Sequence, residues 1–135
     1  RALPWSAIGA YAAMLAGARC VLASDVDNLA LAAAALNAEA NGVEGATSAI
    51  DLLASPPLAV EVVLVGDLFY ERALASNVLA FIRAARGGGA DVLVGDPRRS
   101  YFPRDLFLEV AQYAVPVTRE LEDAEIKRSS VWRPA

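Results

Sequence analysis

The sequence feature that most constrains the fold is the segment 62–71, which reads VVLVGDLFYE. A run of valine and leucine ends abruptly at Gly66 and Asp67, and two aromatic residues precede a helix-like pattern. A short β-branched run bounded by turn residues is typical of a strand buried on both faces, as in parallel sheets. Ligands bind at the carboxyl ends of such strands, so Asp67 and Tyr70 are candidate functional residues.

Length and composition indicate one domain over residues 1–135. The chain is 56% hydrophobic with a formal net charge of -4, so neither disorder nor a nucleic-acid partner is expected. It has no histidine and one cysteine, Cys20, so zinc sites, a Ser-His-Asp triad, a Cys-His dyad and an internal disulfide are not expected. Cys20 lies in an apolar run and is expected in the core of a protein from a reducing cytoplasm.

The longest apolar segment, residues 8–23, is interrupted by Gly17 and Arg19, so a membrane partner is not expected. The chain begins at Arg1 and its one methionine is Met14, which predicts a fragment of a longer protein.

Helical and extended patterns alternate along the chain. Helices are predicted at residues 4–16, 29–40, 72–85 and 103–111, and strands at residues 20–23, 46–50, 60–65, 91–94, 113–119 and 126–132. An acidic turn at residues 120–125 would join the last two strands. The order predicts an α/β, Rossmann-like three-layer sandwich, with a mainly parallel sheet and an antiparallel C-terminal strand pair.

An aspartate follows each of four predicted strands, at Asp25, Asp51, Asp67 and Asp96. Right-handed crossovers would bring all of them to one edge of the sheet. Such an acidic rim can hold hydroxyls, amines or a cation. A single aspartate is weak evidence because it is a common turn residue and helix cap, but a set at one edge is more specific.

Two of these aspartates have competing interpretations. Asp25 can accept the ribose hydroxyls of a nucleotide or can cap the next helix, and we assign the ribose to Asp25 and the cap to Asp27. Asp51 and Leu52 can contact an adenine or can form an ordinary turn, and the residues alone leave this open.

Other conspicuous residues are expected to be structural. The glycines at residues 87–89 lack the lysine and the preceding strand of a phosphate loop, so they predict a helix end and turn. Arg98 and Arg99 can meet an acidic partner, but a solvated loop is the stronger expectation. Trp132 is expected to cover the edge of the sheet.

Several motifs together resemble a known family. The segment 20–43, CVLASDVDNLALAAAALNAEANGV, is similar to the second strand and following helix of class I S-adenosylmethionine-dependent methyltransferases. The segment VVLVGDLFYE resembles the Asp-x-x-Tyr motif of the seven-strand lysine methyltransferases. Two further segments are VLVGDPRRSYF and the tail VTRELEDAEIKRSSVWRP. Together, these motifs resemble the bacterial form of the electron transfer flavoprotein β-subunit lysine methyltransferases.

The resemblance implies roles for named residues. S-adenosylmethionine would be the cofactor, bound by Asp25, Val26, Asp51 and Leu52. The implied substrate is a protein with an accessible lysine, with the electron transfer flavoprotein β subunit suspected.

At the methyl-transfer site, Asp67 and Tyr70 are the implied catalytic residues, and Phe69 with Tyr70 would border the lysine. We expect Asp67 to recruit and orient the lysine, whose pKa of ~10.4 in water keeps it protonated. Desolvation favours the neutral amine, and its proton would leave to water.

The sequence departs from the family pattern at its start. Class I methyltransferases open with a strand and a Gly-x-Gly loop, and the corresponding place here reads Trp5-Ser6-Ala7. The first strand and glycine loop are therefore expected to be missing. An inactive or truncated Rossmann-like domain without cofactor binding is the corresponding alternative.

Further alternatives remain from the residues. A dinucleotide-dependent oxidoreductase would need a Gly-x-Gly-x-x-Gly loop and gives no role to residues 66–70. A non-catalytic interaction domain and a methyltransferase with another substrate are also possible functions. An enzyme that methylates nucleic-acid amino groups would typically show Asn/Asp-Pro-Pro-Tyr/Phe at Asp67, which Leu68 and Phe69 do not match.

Overall fold

The computed structural model describes residues 8–44, 46–56, 58–116 and 126–135. The chain divides into two compact units, Arg1–Pro56 and Pro57–Ala135. Among the described residues, no helix is long and apolar enough to cross a bilayer.

Within residues 8–44 and 46–56, the first unit has two helices and two short strands. Helix α1 spans Ile8–Leu15 and strand β1 spans Leu22–Ser24. Helix α2 spans Asn28–Ala40 and strand β2 spans Ala46–Ser48. Part of the predicted first helix, with Trp5-Ser6-Ala7, lies outside the described residues.

Helix α2 begins and ends where the sequence predicts. Asp27 is its N-cap, and the Asp27 Oδ1 accepts a hydrogen bond from the backbone N–H of Leu29 at 2.9 Å. At the other end Gly42 has φ 62°, and the N–H of Val43 donates to the Ala38 carbonyl at 3.0 Å. This is the Schellman arrangement that a glycine after the last turn permits. The predicted assignment of Asp27 to the cap is confirmed.

Strands β1 and β2 are parallel, and Ser24 pairs with Ser48 at their carboxyl ends. The next residue continues the ladder, because the N–H of Asp25 donates to the Ser48 carbonyl at 3.1 Å. Cys20 precedes β1 and is exposed, so its predicted place in the core is wrong. The strand begins two residues later than predicted, which leaves Cys20 in the approach to the sheet.

Over its described residues, 58–116 and 126–135, the second unit has a mixed sheet and one α-helix. Strands β3 (Val62–Gly66) and β4 (Asp91–Asp96) are parallel, and helix α3 (Arg72–Gly87) connects them. Strands β5 (Phe107–Pro116) and β6 (Ile126–Pro134) complete the sheet in the spatial order β3-β4-β6-β5. Both β4–β6 and β5–β6 are antiparallel, so the predicted antiparallel C-terminal pair is confirmed.

Helix α3 is amphipathic and packs against β4. Its buried residues recur at helical spacing and are Ala75, Val78, Ile82 and Ala85. It ends at the predicted glycines, where Gly89 has φ 92° and the N–H of Ala90 donates to the Ala85 carbonyl at 3.1 Å. The chain therefore turns directly from α3 into β4.

The helix predicted over residues 103–111 is wrong. A single 3₁₀ turn spans Arg104–Leu106, and Phe107 already begins β5. The long antiparallel ladder with β6 overrides the short helical pattern, because each paired residue gains backbone hydrogen bonds and a cross-strand neighbour. An irregularity between Glu109 and Ala111 shifts the register within this ladder. The predicted acidic turn at 120–125 lies outside the described residues.

Strand β3 is not buried on both faces, which corrects the first expectation drawn from its sequence. Val65 is buried, whereas Val62 and Leu64 on the opposite face are each 51% exposed. In the described sheet β3 pairs with β4 on one side. The apolar run is therefore the edge strand of the sheet formed by the described residues, and its two faces differ.

An aromatic cluster fills the core of the second unit. The Phe69 ring lies 5.1 Å from Phe102 and 6.3 Å from Phe107 between centroids, both in edge-to-face geometry. The Trp132 ring lies 5.0 Å from Phe102. Trp132 is on β6, between β4 and β5, and is buried, so its predicted place at the sheet edge is wrong.

The α/β fold itself is as predicted.

Candidate functional site

Asp67 lies at the carboxyl end of β3, where the parallel ladder with β4 ends. Gly66 pairs with Gly95, and the N–H of Asp67 donates to the Gly95 carbonyl at 2.9 Å. The backbone of Asp67 has φ 50°. Among residues with a Cβ, aspartate and asparagine adopt this left-handed conformation most readily. The turn therefore selects a short polar side chain at this position.

Both carboxylate oxygens of Asp67 bind the side chain of Arg99. The Arg99 Nε donates to Oδ1 and Nη2 donates to Oδ2, each at 2.6 Å. Both side chains are 37% exposed, so the pair lies at the surface rather than in the core. The loop that carries Arg99 was expected to be solvated, and the structure shows instead a two-point ion pair with a candidate catalytic residue.

Asp96, the last residue of β4, anchors the start of this loop from inside. It is 0% exposed, and its Oδ1 accepts a hydrogen bond from the Arg99 N–H at 2.7 Å. Burial raises the pKa of Asp96, and the nearby charge of Asp67 adds to this. Hydrogen bonds from the Arg99 and Arg98 backbones and the Arg99 charge lower it in part.

A second buried polar group faces Asp96. Asp96 and Ser130 are direct partners in the β4–β6 ladder. Within the described part of the chain, Asp96 Oδ2, Ser130 Oγ and Trp132 Nε1 are buried without a hydrogen-bond partner. The site on the surface is thus underlain by a polar patch in the core.

Phe69 and Tyr70, both predicted to border the substrate lysine, have different environments. Phe69 is 0% exposed and packs within the aromatic cluster, whereas Tyr70 is 37% exposed. The Phe69 ring therefore contacts the core, and its role in bordering the substrate lysine stays a prediction. Tyr70 presents part of its ring at the surface, three residues after Asp67.

Further charged groups occupy the loops near these strand ends. The Arg98 Nη2 lies 3.5 Å from the Glu109 Oε2 on β5. The Arg72 guanidinium, at the start of α3, lies 5.8 Å from the centroid of the Tyr101 ring. Arg98 has φ 69°, so the loop after β4 also contains a left-handed residue.

In the first unit, Asp27 caps helix α2, as predicted, and Asp25 does not. The Asp25 Oδ1 accepts the N–H of Asp27 at 2.8 Å, which orients its carboxylate at the end of β1. Asp25 is half-buried and Val26 is exposed. A carboxylate has about four acceptor positions, so Asp25 retains capacity to accept from ribose hydroxyls. These remaining acceptor positions suit the predicted cofactor role.

Asp51 and Leu52 follow β2, the parallel neighbour of β1. The Asp51 Oδ1 accepts the N–H of Leu53 at 3.0 Å, and the Ser55 hydroxyl donates to the Asp51 carbonyl at 2.8 Å. Asp51 is exposed and Leu52 is half-buried. A polar residue beside an apolar one fits the predicted adenine contact, and the hydrogen bonds also form a turn.

Two features of the site were not predicted from the sequence. One is the ion pair of Arg99 with Asp67, and the other is the buried Asp96 that binds the Arg99 backbone. A signal was present, because Asp67 and Asp96 end predicted strands that neighbour each other. Pro97 restricts the chain directly after β4, and an arginine two residues later can reach the adjacent strand end.

The family of ribosomal protein L11 methyltransferases matches residues 5–71 of the chain. An electron transfer flavoprotein β-subunit lysine methyltransferase from Danio rerio is 32% identical over 130 residues, covering 92% of this chain and 50% of that protein. The corresponding protein from Xenopus laevis is 33% identical over 129 residues, covering 91% and 52%. The chain therefore spans about half the length of the curated relatives that it matches.

Solved structures show the same fold. A ribosomal protein L11 methylase from Lactobacillus delbrueckii subsp. bulgaricus has a TM-score of 0.60 at 20% identity, covering 96% of this chain and 66% of that chain. The N-methyltransferase NodS from Bradyrhizobium japonicum, solved with S-adenosyl-L-homocysteine, has a TM-score of 0.59 at 14% identity, covering 96% and 74%. The chain thus has the Rossmann-like fold of S-adenosylmethionine-dependent methyltransferases and, as the sequence predicted, resembles the electron transfer flavoprotein β-subunit lysine methyltransferases over most of its length.

Proposed function

We propose that the protein is an S-adenosylmethionine-dependent protein-lysine N-methyltransferase of the cytoplasm. Its proposed substrate is the electron transfer flavoprotein β subunit or a similar protein. The observation that carries this proposal is the similarity of 91–92% of the chain to lysine methyltransferases named for that substrate. The matching family is also named for a protein substrate, ribosomal protein L11.

The first unit supplies the proposed cofactor contacts. Asp25, at the end of β1, would accept the ribose hydroxyls, with Val26 beside it. Asp51 and Leu52, after the neighbouring strand, would contact the adenine. The support for these roles is chemical, since carboxylates accept from hydroxyl and amino groups and Leu52 offers apolar surface.

In the second unit, Asp67 and Tyr70 are the proposed catalytic residues. The bound cofactor supplies a methyl group on a sulfonium, which is already activated for transfer. The protein must align the lysine nitrogen, exclude water and permit loss of its proton. Asp67 would orient the lysine through a hydrogen bond, and the exposed part of the Tyr70 ring would line its aliphatic stem. The lysine proton would pass to water.

A protein substrate also agrees with the charge of the chain. The formal net charge is -4, which gives no overall attraction to a phosphate backbone. The single cysteine agrees with the proposed cytoplasmic location, where thiols remain reduced.

The test is methylation of purified electron transfer flavoprotein β subunit by the full chain and S-adenosylmethionine, followed by intact-mass and peptide mass spectrometry. Added methyl groups on lysine are expected, and Asp67→Asn should reduce their rate by at least roughly tenfold. Asparagine tolerates the left-handed backbone at residue 67, so this variant should remain folded.

Calorimetry with S-adenosylhomocysteine separates the alternatives. Cofactor binding without methylation would overturn the proposed substrate. Failure of both measurements with a folded chain would support the inactive Rossmann-like domain instead.

A further inference from the structure

We infer that Arg99 is a positioning residue for the methyl-transfer site, where it fixes the Asp67 carboxylate and offsets its negative charge beside the substrate amine. This inference rests on the proposed function. It is carried by the two-point ion pair at the end of β3, in which each Asp67 oxygen accepts one N–H of Arg99 at 2.6 Å.

The geometry of the pair restricts the Asp67 side chain. Two parallel hydrogen bonds to a planar guanidinium define both the position and the plane of the carboxylate. A single point charge such as an ammonium would fix only one contact. Each oxygen keeps a further lone pair, so Asp67 can still accept a hydrogen bond from an approaching lysine.

Arg99 is itself held in place from the core. Its backbone N–H donates to the buried Asp96 Oδ1 at 2.7 Å, three residues back along the chain. Asp96 ends β4 and Asp67 follows β3, and these two strands are hydrogen-bonded neighbours. The loop therefore presents Arg99 across the strand ends to Asp67.

The charge of Arg99 bears directly on the chemistry. An isolated Asp67 carboxylate would stabilise the ammonium form of the substrate lysine, which has no lone pair for attack on the methyl group. Paired with Arg99, the carboxylate can orient the nitrogen while the pair as a whole carries no net charge. The neutral amine is then less disfavoured.

Other charged residues lie on the elements that carry this site. They come from the loop before α3, the start of α3, the end of β4, its following loop and strand β5, and are Glu71, Arg72, Asp96, Arg98 and Glu109. Arg98 is paired with Glu109, and Arg72 lies over the Tyr101 ring. Among the described residues, Arg99 binds both Asp67 oxygens.

The test compares Arg99→Gln with Arg99→Lys by measuring kcat and KM for the protein substrate across the alkaline range. In Arg99→Gln the unpaired Asp67 should favour the ammonium. The rising limb of the kcat profile should move up by about 0.5–1 pH unit, a roughly 3- to 10-fold loss of kcat at neutral pH. KM should not rise, because the ammonium ground state is bound at least as well.

Arg99→Lys retains the charge and loses the two-point geometry. Its kcat profile should stay within about 0.3 pH unit of the wild-type profile, even where kcat is lower. An equal loss of kcat in both variants with no movement of either profile would overturn the inference. So would a rise in KM alone, which indicates a merely structural loop.

A second measurement does not depend on methylation. The melting temperatures of Asp67→Asn, Arg99→Gln and the double variant form a cycle. If the ion pair exists in solution, each single variant should have a melting temperature about 1–3 °C below that of the wild type. The melting temperature of the double variant should be no lower than that of the less stable single variant. Additive losses would overturn the pairing itself. A coupled cycle with no methylation by the wild type would instead contradict the proposed function.

Discussion

Asp96 lies directly opposite Ser130 across the antiparallel ladder of β4 and β6, and both side chains are buried. Side chains of directly opposed residues are close enough to interact. Asp96 Oδ2 and Ser130 Oγ make no hydrogen bond within the described residues. A protonated Asp96 would carry an O–H that can be donated to Ser130, and burial favours that neutral form.

The first prediction concerns the pH dependence of stability. Because burial raises the pKa of Asp96 above its ordinary value of 3.8, the folded state holds this proton more tightly than the unfolded state. The free energy of unfolding contributed by Asp96 should therefore fall as pH rises from 3.8 through the folded-state pKa. Asp96→Asn should remove this slope and should be equally stable or ~1 kcal/mol more stable at neutral pH.

Urea unfolding of both proteins at a series of pH values measures this slope. Asparagine keeps an acceptor for the Arg99 N–H and adds a donor toward Ser130. Asp96→Ala is the matched variant that removes both, and it should be less stable than Asp96→Asn throughout. A wild-type slope that survives in Asp96→Asn would show that another group titrates.

The second prediction separates Asp25 from Asp27. Asp27→Ala removes the N-cap of α2 and should lower the free energy of unfolding by about 1 kcal/mol, while affinity for S-adenosylhomocysteine changes little. Asp25→Ala removes the proposed ribose acceptor and should weaken that affinity at least about tenfold. Calorimetry and urea unfolding on the same preparations give both quantities. The assignment is wrong if Asp27→Ala is the variant that loses the cofactor.

The third prediction contrasts two adjacent aromatic residues. Phe69→Ala empties a fully buried position in the aromatic cluster and should cost about 3–5 kcal/mol of unfolding free energy, with Phe69→Leu costing less. Tyr70→Ala removes a ring that is partly exposed and should cost under about 1.5 kcal/mol while reducing methylation at least about tenfold. Tyr113→Ala, on exposed β5, is the control for surface tyrosines. Equal stability losses at Phe69 and Tyr70 would contradict their assigned environments.

The helix ends and most strands were predictable because their signals are local. Asp27 and Gly42 delimit α2 through their own side chain and backbone, so nearby residues suffice to place them. Strand β5 was mistaken for a helix over residues 103–111, because its partner β6 lies beyond a separate segment of the chain. Pairing with a distant strand outweighs a short helical preference, and the sequence of the segment alone does not show it.

The position of Asp67 at a strand end was predictable from the sequence, but its ion pair with Arg99 was not. Asp67 is positioned by a strand and a turn that the sequence displays. Its partner Arg99 lies 32 residues away, and their contact depends on the parallel register of β3 and β4. Likewise, the aromatic character of Phe69 suggested a ligand contact, whereas the fold turns that ring toward Phe102.

Position 67 must meet two separate requirements, a left-handed backbone and a carboxylate that reaches Arg99. Glycine, asparagine and aspartate all accept its φ of 50°, so folding tolerates any of them. Glutamate keeps the charge, but as a longer side chain it would move the carboxylate away from where Arg99 meets it. The fold therefore tolerates substitution of Asp67 by asparagine or glycine. Of the residues that suit this backbone, only aspartate also keeps the ion pair with Arg99.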